Sequence, residues 1–306
     1  MANALHYICQ QELMDDIAAP LEKILKDATG DDYIDIYERI FRSLEWNQRI
    51  HHSRTSYVNY VRNRLFDKDY KVRCHWNYLS LAAALLEAII HDIDNRLDSH
   101  EFNELDACFV QAYAPLLYQK AIMEFAKQCT GIWLMSDIFL KRITGGLIQE
   151  QFRFLNNIKN IPLLEKKIEI GKSHFVHEDL WSLLDLRAQQ IVISASVIFY
   201  PYLLMRKINK DFYRRLICYF VKIFMVDGLS KDISEIELDE KSGRFNAWNA
   251  LRNYPEKFKQ LYIAKIQQTL NRINEFDENR FGKLKEFNRS FQEKREQLFD
   301  AIGRIE

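Results

Sequence analysis

Three observations predict an all-helical fold. Only nine glycines and five prolines interrupt 306 residues, apolar residues recur at spacings of three and four nearly throughout, and strand-like alternation is absent. Apolar residues make up 48% of the chain, enough at this length to bury a full core. No Gly/Ser/Pro-rich linker, composition break or repeat period divides it, so a single helical domain over residues 1–306 is expected.

The three-and-four spacing places helices over about 10–28, 33–46, 48–66, 74–94, 101–128, 132–158, 177–200, 209–228 and 256–300, each to within several residues. The fourth carries the apolar run LSLAAALLEAIIHDI, behind which stand three aspartates, an asparagine and two histidines in IIHDIDNRLDSH. The basic run Arg206-Lys207-Ile208-Asn209-Lys210, followed by Arg214-Arg215, reads as a solvated turn and helix start. Gly243 is placed to stop a helix that carries SEIELDEKS. The segment from about 255, YPEKFKQLYIAKIQQTLNRINEF and onward, is more charged and is expected to lie on the surface, packing or pairing two copies as a homodimer.

Lys+Arg and Asp+Glu both number 43, so no overall field draws the chain to nucleic acid or acidic lipid. A small-molecule or protein partner is expected, with no nucleic acid. Cys9, Cys74, Cys108, Cys129 and Cys218 are scattered, odd in number and without a CxxC. With no stretch approaching 18 uncharged apolar residues, that usage points to a reduced, cytoplasmic setting without a transmembrane segment.

Two acidic constellations carry candidate chemistry. Asp94 and Asp98 of DNRLD lie four apart, so on a helix their carboxylates share a face. Two hard oxygen ligands on one face suit Mg²⁺, which completes its octahedron with waters and substrate phosphates. Asp232, Glu235 and Asp239 fall at i, i+3 and i+7 and form a second metal-capable face. Each constellation reads equally well as a solvated acidic helix end, and helix-end carboxylates that bind only metal are expected to add little to stability.

An apolar helix ending in a DDxxD-like motif, then about 140 residues later SEIELDEKSGRFN, resembles the class I isoprenoid synthase family of terpene cyclases, trans-prenyltransferases and squalene and phytoene synthases. DNRLD is similar to its first aspartate-rich motif, with Asn95 in the second place. Glu235, Asp239 and Gly243 match acidic and glycine positions of its second metal motif. HEDLWSLLDLRAQQ resembles the cyclase segment carrying the diphosphate-sensing arginine, here Arg187. The resemblance implies a helical bundle around a central cavity and ionisation of a prenyl diphosphate. Mg²⁺, or Mn²⁺ in its place, would be held by Asp94, Asp98, Asp232, Glu235 and Asp239. Arg187, Lys241 and Arg244 would contact phosphate, with Arg187, Asp94 and Asp239 catalytic. Lys231 stands where cyclases carry the first ligand of the second motif, and Gln190 and Ile191 depart from the acid and small residue that follow the arginine. Basic residues for isopentenyl diphosphate are not evident after Asp98, which favours cyclisation over chain elongation.

A carbocation needs a dry, aromatic-lined pocket. Trp76, Tyr78, Phe109, Tyr113, Phe199, Tyr200 and Tyr202 are candidates for its wall or for ordinary core. Residues 49–102 also resemble HD phosphohydrolases of the nucleotide-hydrolysing type. His52, His91 and Asp92 match that metal pattern, Arg49 and His100 are possible phosphate contacts, and Asp137, Asp179 or Asp185 would be the fourth ligand. Glu87 and His91 at i, i+4 could begin a di-iron site, but the Glu-x-x-His motifs of such bundles are missing. A helical scaffold without chemistry completes the alternatives.

Overall fold

The computed structural model describes residues 2–30, 53–66, 77–89, 114–129, 160–204, 208–271 and 285–305, with isolated positions between 34 and 38 and between 141 and 149. Every regular element among them is a helix. In chain order these are α1 (Ala2–Thr29), α2 (Ser53–Phe66), α3 (77–89), α4 (Ala114–Cys129), α5 (160–169), α6 (Val176–Leu204), α7 (Lys210–Ser234), α8 (Ile236–Ser242), α9 (Ala247–Leu251), α10 (Glu256–Asn271) and α11 (Lys285–Ile305). No helix among the described residues is long and apolar enough to cross a membrane. Cys9 is buried and Cys218 exposed.

The chain forms two compact units. The first comprises Asn3–Glu150 and Ile193–Tyr213. In it α1 buries Cys9, Leu13, Ile17, Leu21 and Ile24, a stripe at helical spacing, and is followed by Gly30, which takes a φ of 66° at no Cβ cost. α4 does the same with Ala114, Leu117, Ala121 and Phe125. α2 departs from this pattern, because its buried residues include Thr55, Ser56, Asn59 and Arg62. Thr55, Asn59 and Arg62 meet neighbours on other helices: Thr55 donates to Glu87, Arg62 donates to Ser80 at 2.7 Å and to Asp16 at 2.9 Å, and Ser80 donates to Asn59 at 2.8 Å. Burying these polar groups is tolerable because they find partners. At the end of α2, Phe66 stacks on Tyr202 with ring centroids 4.1 Å apart. Tyr78, Phe199 and Tyr202 are all core.

The second unit comprises Met1–Ala2, Gln151–Val192 and Arg214–Glu306. Its core takes Leu180, Leu183, Leu184 and Ala188 from α6, Leu216, Phe220, Ile223, Phe224 and Leu229 from α7, and Tyr262, Ile263 and Ile266 from α10. α6 and α7 pack closely at Gly228, where an added Cβ would stand 3.5 Å from Leu184. α11 buries Phe291, Leu298 and Ile302 and pairs Lys294 with Asp227 of α7 at 3.0 Å.

Several helix bounds differ from the expected ones. α1 begins earlier than residue 10, and α7 runs six residues beyond the predicted stop at 228, to Ser234. α5 and α9 were not expected, whereas α8 is the helix that Gly243 was placed to stop, here separated from α7 at Glu235. The helix start after the basic run is present, capped by Asn209, whose side-chain oxygen accepts from Phe212 N at 2.8 Å. The helices expected over 33–46 and 132–158 fall almost wholly outside the described residues, as do 272–284 of the C-terminal segment.

Candidate functional site

The stretch from Lys231 to Trp248 is three short pieces of backbone tied into one knot. α7 ends at Ser234, and Glu235 then departs from helical geometry with φ −106° and ψ 8°. Asp239 N still bonds Glu235 O at 2.8 Å, so α8 restarts at once. Gly243, in the left-handed region at φ 67°, closes α8 as its sequence position predicts, with Arg244 N donating to Asp239 O at 2.9 Å. Asn246 caps α9, its side-chain oxygen accepting from Trp248 N at 3.0 Å.

The break at Glu235 decides where the acidic side chains go. Continuous helix would carry Asp232, Glu235 and Asp239 along one wet face. Instead Asp239 is buried at 5% exposure. One carboxylate oxygen meets Arg244 Nη2 at 3.2 Å, and the other accepts from Asn246 Nδ2 at 2.9 Å. Asn246 also donates to the backbone carbonyl of Asp232 at 2.6 Å, so one amide holds the end of α7 to α8. Asp239 is therefore held inside the protein and not at a wet helix end.

Arg187, on α6, reaches the same place. Its Nη1 lies 3.7 Å from Asp232 Oδ1, its Nη2 donates to Glu165 of α5 at 2.6 Å, and its guanidinium carbon stands 5.6 Å from the centre of the Phe245 ring. Those three neighbours hold a guanidinium from different sides. Burial pushes the Asp232 carboxyl above the ordinary carboxylate range; Asp239 and Glu235 push the same way, against Arg187 and Lys231. The fully buried Tyr262 phenol is likewise pushed up by burial, and feels the Asp232 and Arg187 charges. Lys231 lies 3.9 Å from Glu235. The cluster thus sets four carboxylates, Glu165, Asp232, Glu235 and Asp239, against three cations, Arg187, Lys231 and Arg244.

Of the residues expected at the site, Arg187, Asp232, Glu235, Asp239 and Arg244 are brought together. Lys241 is not: it is largely exposed and lies 3.9 Å from Glu237 on the same helix. Asp94 and Asp98 lie outside the described residues, as do Arg49, His52, His91, Asp92, Asn95, His100 and Asp137 of the alternative readings. Asp179 and Asp185 are described and engaged, Asp179 by Lys167 and Ser173 at 2.7 and 2.6 Å and Asp185 by Gln189 at 2.6 Å. Glu87 accepts from Thr55. Among the described residues no group of three or more His, Cys, Asp and Glu side chains is placed to hold a metal ion.

Glu165, Asn246 and Tyr262 were not anticipated. Asn246 had a readable signal, an N-cap residue just behind a helix-stopping glycine. Glu165 and Tyr262 had none, because their roles come from helices distant in the chain. No family model matches the chain, and neither a curated protein nor a solved structure does.

Proposed function

We propose that the chain binds a prenyl diphosphate together with Mg²⁺ and ionises it, as class I terpene cyclases do. The observation that carries this is the meeting of Arg187 with Asp232. The segment resembling the diphosphate-sensing arginine and the segment resembling the second metal motif, far apart in sequence, come to 3.7 Å. In the proposed reaction Arg187 and Arg244 contact the departing diphosphate, where planar guanidinium donors match phosphate oxygens. An apolar cavity lined by aromatic residues would keep water from the cation.

The second motif fits a metal only in part. Asp239 does not fit, since both of its oxygens are already held. Asp232 and Glu235 fit as hard oxygen donors, their cationic neighbours standing off at 3.7 and 3.9 Å. They are the described residues proposed to hold Mg²⁺, which when bound would neutralise the charge that grows on the leaving diphosphate; Asp94 and Asp98, the other ligands the resemblance implies, lie outside the described residues.

One observation favours a second reading. Because Asp239 is committed to Arg244 and Asn246, and Lys231 occupies a ligand position, the protein could bind diphosphate without turning it over. A thermal-shift series with pyrophosphate and with C10, C15 and C20 prenyl diphosphates, each with and without Mg²⁺, tests the proposal alongside product analysis. Stabilisation that requires metal and diphosphate together, with hydrocarbon products, supports the cyclase. The same stabilisation without products supports the binding protein. Stabilisation by Mn²⁺ or Fe²⁺ alone, lost in His52→Ala, would instead favour the phosphohydrolase.

A further inference from the structure

We propose that Glu165 is a positioning residue for Arg187, aiming its guanidinium at the place where a diphosphate binds. The inference rests on the diphosphate-binding proposal above, and it concerns a residue that no motif marks. The Glu165–Arg187 pair is a charge-assisted hydrogen bond of 2.6 Å, far shorter than the 3.7 Å between Arg187 and Asp232. Arg187 is one-third exposed, and an unrestrained arginine at that exposure samples many rotamers. A ligand would have to select one of them.

Glu165 can do this only if it is itself fixed, and it is. α5 is strapped to α6 a second time by Lys167 and Asp179 at 2.7 Å. Its C-terminal end is held from the turn before α10, where the Tyr254 hydroxyl donates to Ile168 O at 2.7 Å. Ile168 is fully buried. The Glu165 carboxylate is therefore delivered by an anchored helix, the arrangement in which a supporting residue holds a binding group to the right geometry.

The sign of the effect separates positioning from simple charge. Glu165 adds a fourth carboxylate to a cluster with three cations, so removing its charge favours an anion by Coulomb's law. Positioning predicts the opposite. The test is calorimetric titration of the full chain with inorganic pyrophosphate in excess Mg²⁺, for the wild type, Glu165→Gln and Lys167→Met. Lys167→Met cuts the other α5–α6 strap without touching Arg187, so it controls for loosening of the helix pair.

Glu165→Gln is expected to bind pyrophosphate about tenfold more weakly than wild type, with Lys167→Met within twofold of it. The Arg187 Nε–H resonance, assigned by its loss in Arg187→Lys, should broaden in Glu165→Gln and stay sharp in Lys167→Met. Equal or tighter binding by Glu165→Gln would overturn the inference while leaving diphosphate binding intact. An equal loss in Lys167→Met would reduce Glu165 to a strap and overturn it too. Failure of the wild type to bind would remove the diphosphate proposal and this inference with it, and only that outcome strikes both.

Discussion

Asn246 Nδ2 donates to Asp239 Oδ2 at 2.9 Å inside the protein, in a place where the sequence alone suggests a carboxylate turned to solvent and metal. The same amide reaches the carbonyl of Asp232. Asp239→Ala would leave one N–H of the buried Asn246 amide unmatched, its other bond to Asp232 remaining, and would take from the partly exposed Arg244 its carboxylate. A loss of about 2–4 kcal/mol is expected in urea unfolding, against the near-neutral result a solvent-facing carboxylate gives. Asp239→Asn, which keeps an acceptor for Asn246, should lose less.

Gly243→Ala tests the turn that delivers Arg244 and Asn246. Nothing lies within 4 Å of an added Cβ, so the cost is that of φ 67° alone. About 1 kcal/mol is expected, read as a lowered urea midpoint at unchanged m-value.

Asp232 makes stability pH-dependent with a definite sign. Burial holds its folded carboxyl above the ordinary aspartate value, so over the window rising from about pH 4 the folded state holds more protons than the unfolded one. Stability from this group is fully present below that window and falls as pH rises through the folded value. Asp232→Asn removes the slope, while Arg187 keeps Glu165. The variant should gain on wild type as pH rises from 4 toward 7 in parallel urea titrations; a constant difference would sink the assignment.

Arg187→Ala should abolish the joint stabilisation by Mg²⁺ and pyrophosphate, whereas His52→Ala should preserve it. Thermal shift on both variants, with circular dichroism to verify folding, reads this directly. The reverse pattern would transfer the metal chemistry to the histidines.

Arg62 provides a check in the other unit. At 2% exposure it bridges Asp16 and Ser80, and Arg62→Ala takes the guanidinium from a mostly buried carboxylate and leaves a cavity, although Asn59 still donates to Asp16 and accepts from Ser80. A loss of about 3–5 kcal/mol is expected, with Arg62→Lys recovering only part because a single ammonium cannot span the forked geometry.

The sequence by itself determined the features that depend on near neighbours. The helical class follows from apolar recurrence at three and four, seen in the Leu13, Ile17, Leu21 stripe of α1. The stop at Gly243 and the start at Asn209 follow from the backbone needs of helix ends. The tertiary structure decided which charged groups meet. A carboxylate is chemically at ease either in water or against a guanidinium, so composition cannot tell Asp239, which is buried, from Glu237, which is exposed. One departure from helical geometry at Glu235 turned Asp239 inward. Glu165 lies beside Arg187 because α5 folds back on α6 and is tied to the turn before α10. Such contacts depend on how whole helices rotate and cross, which is settled by packing across the core rather than by the residues on either side.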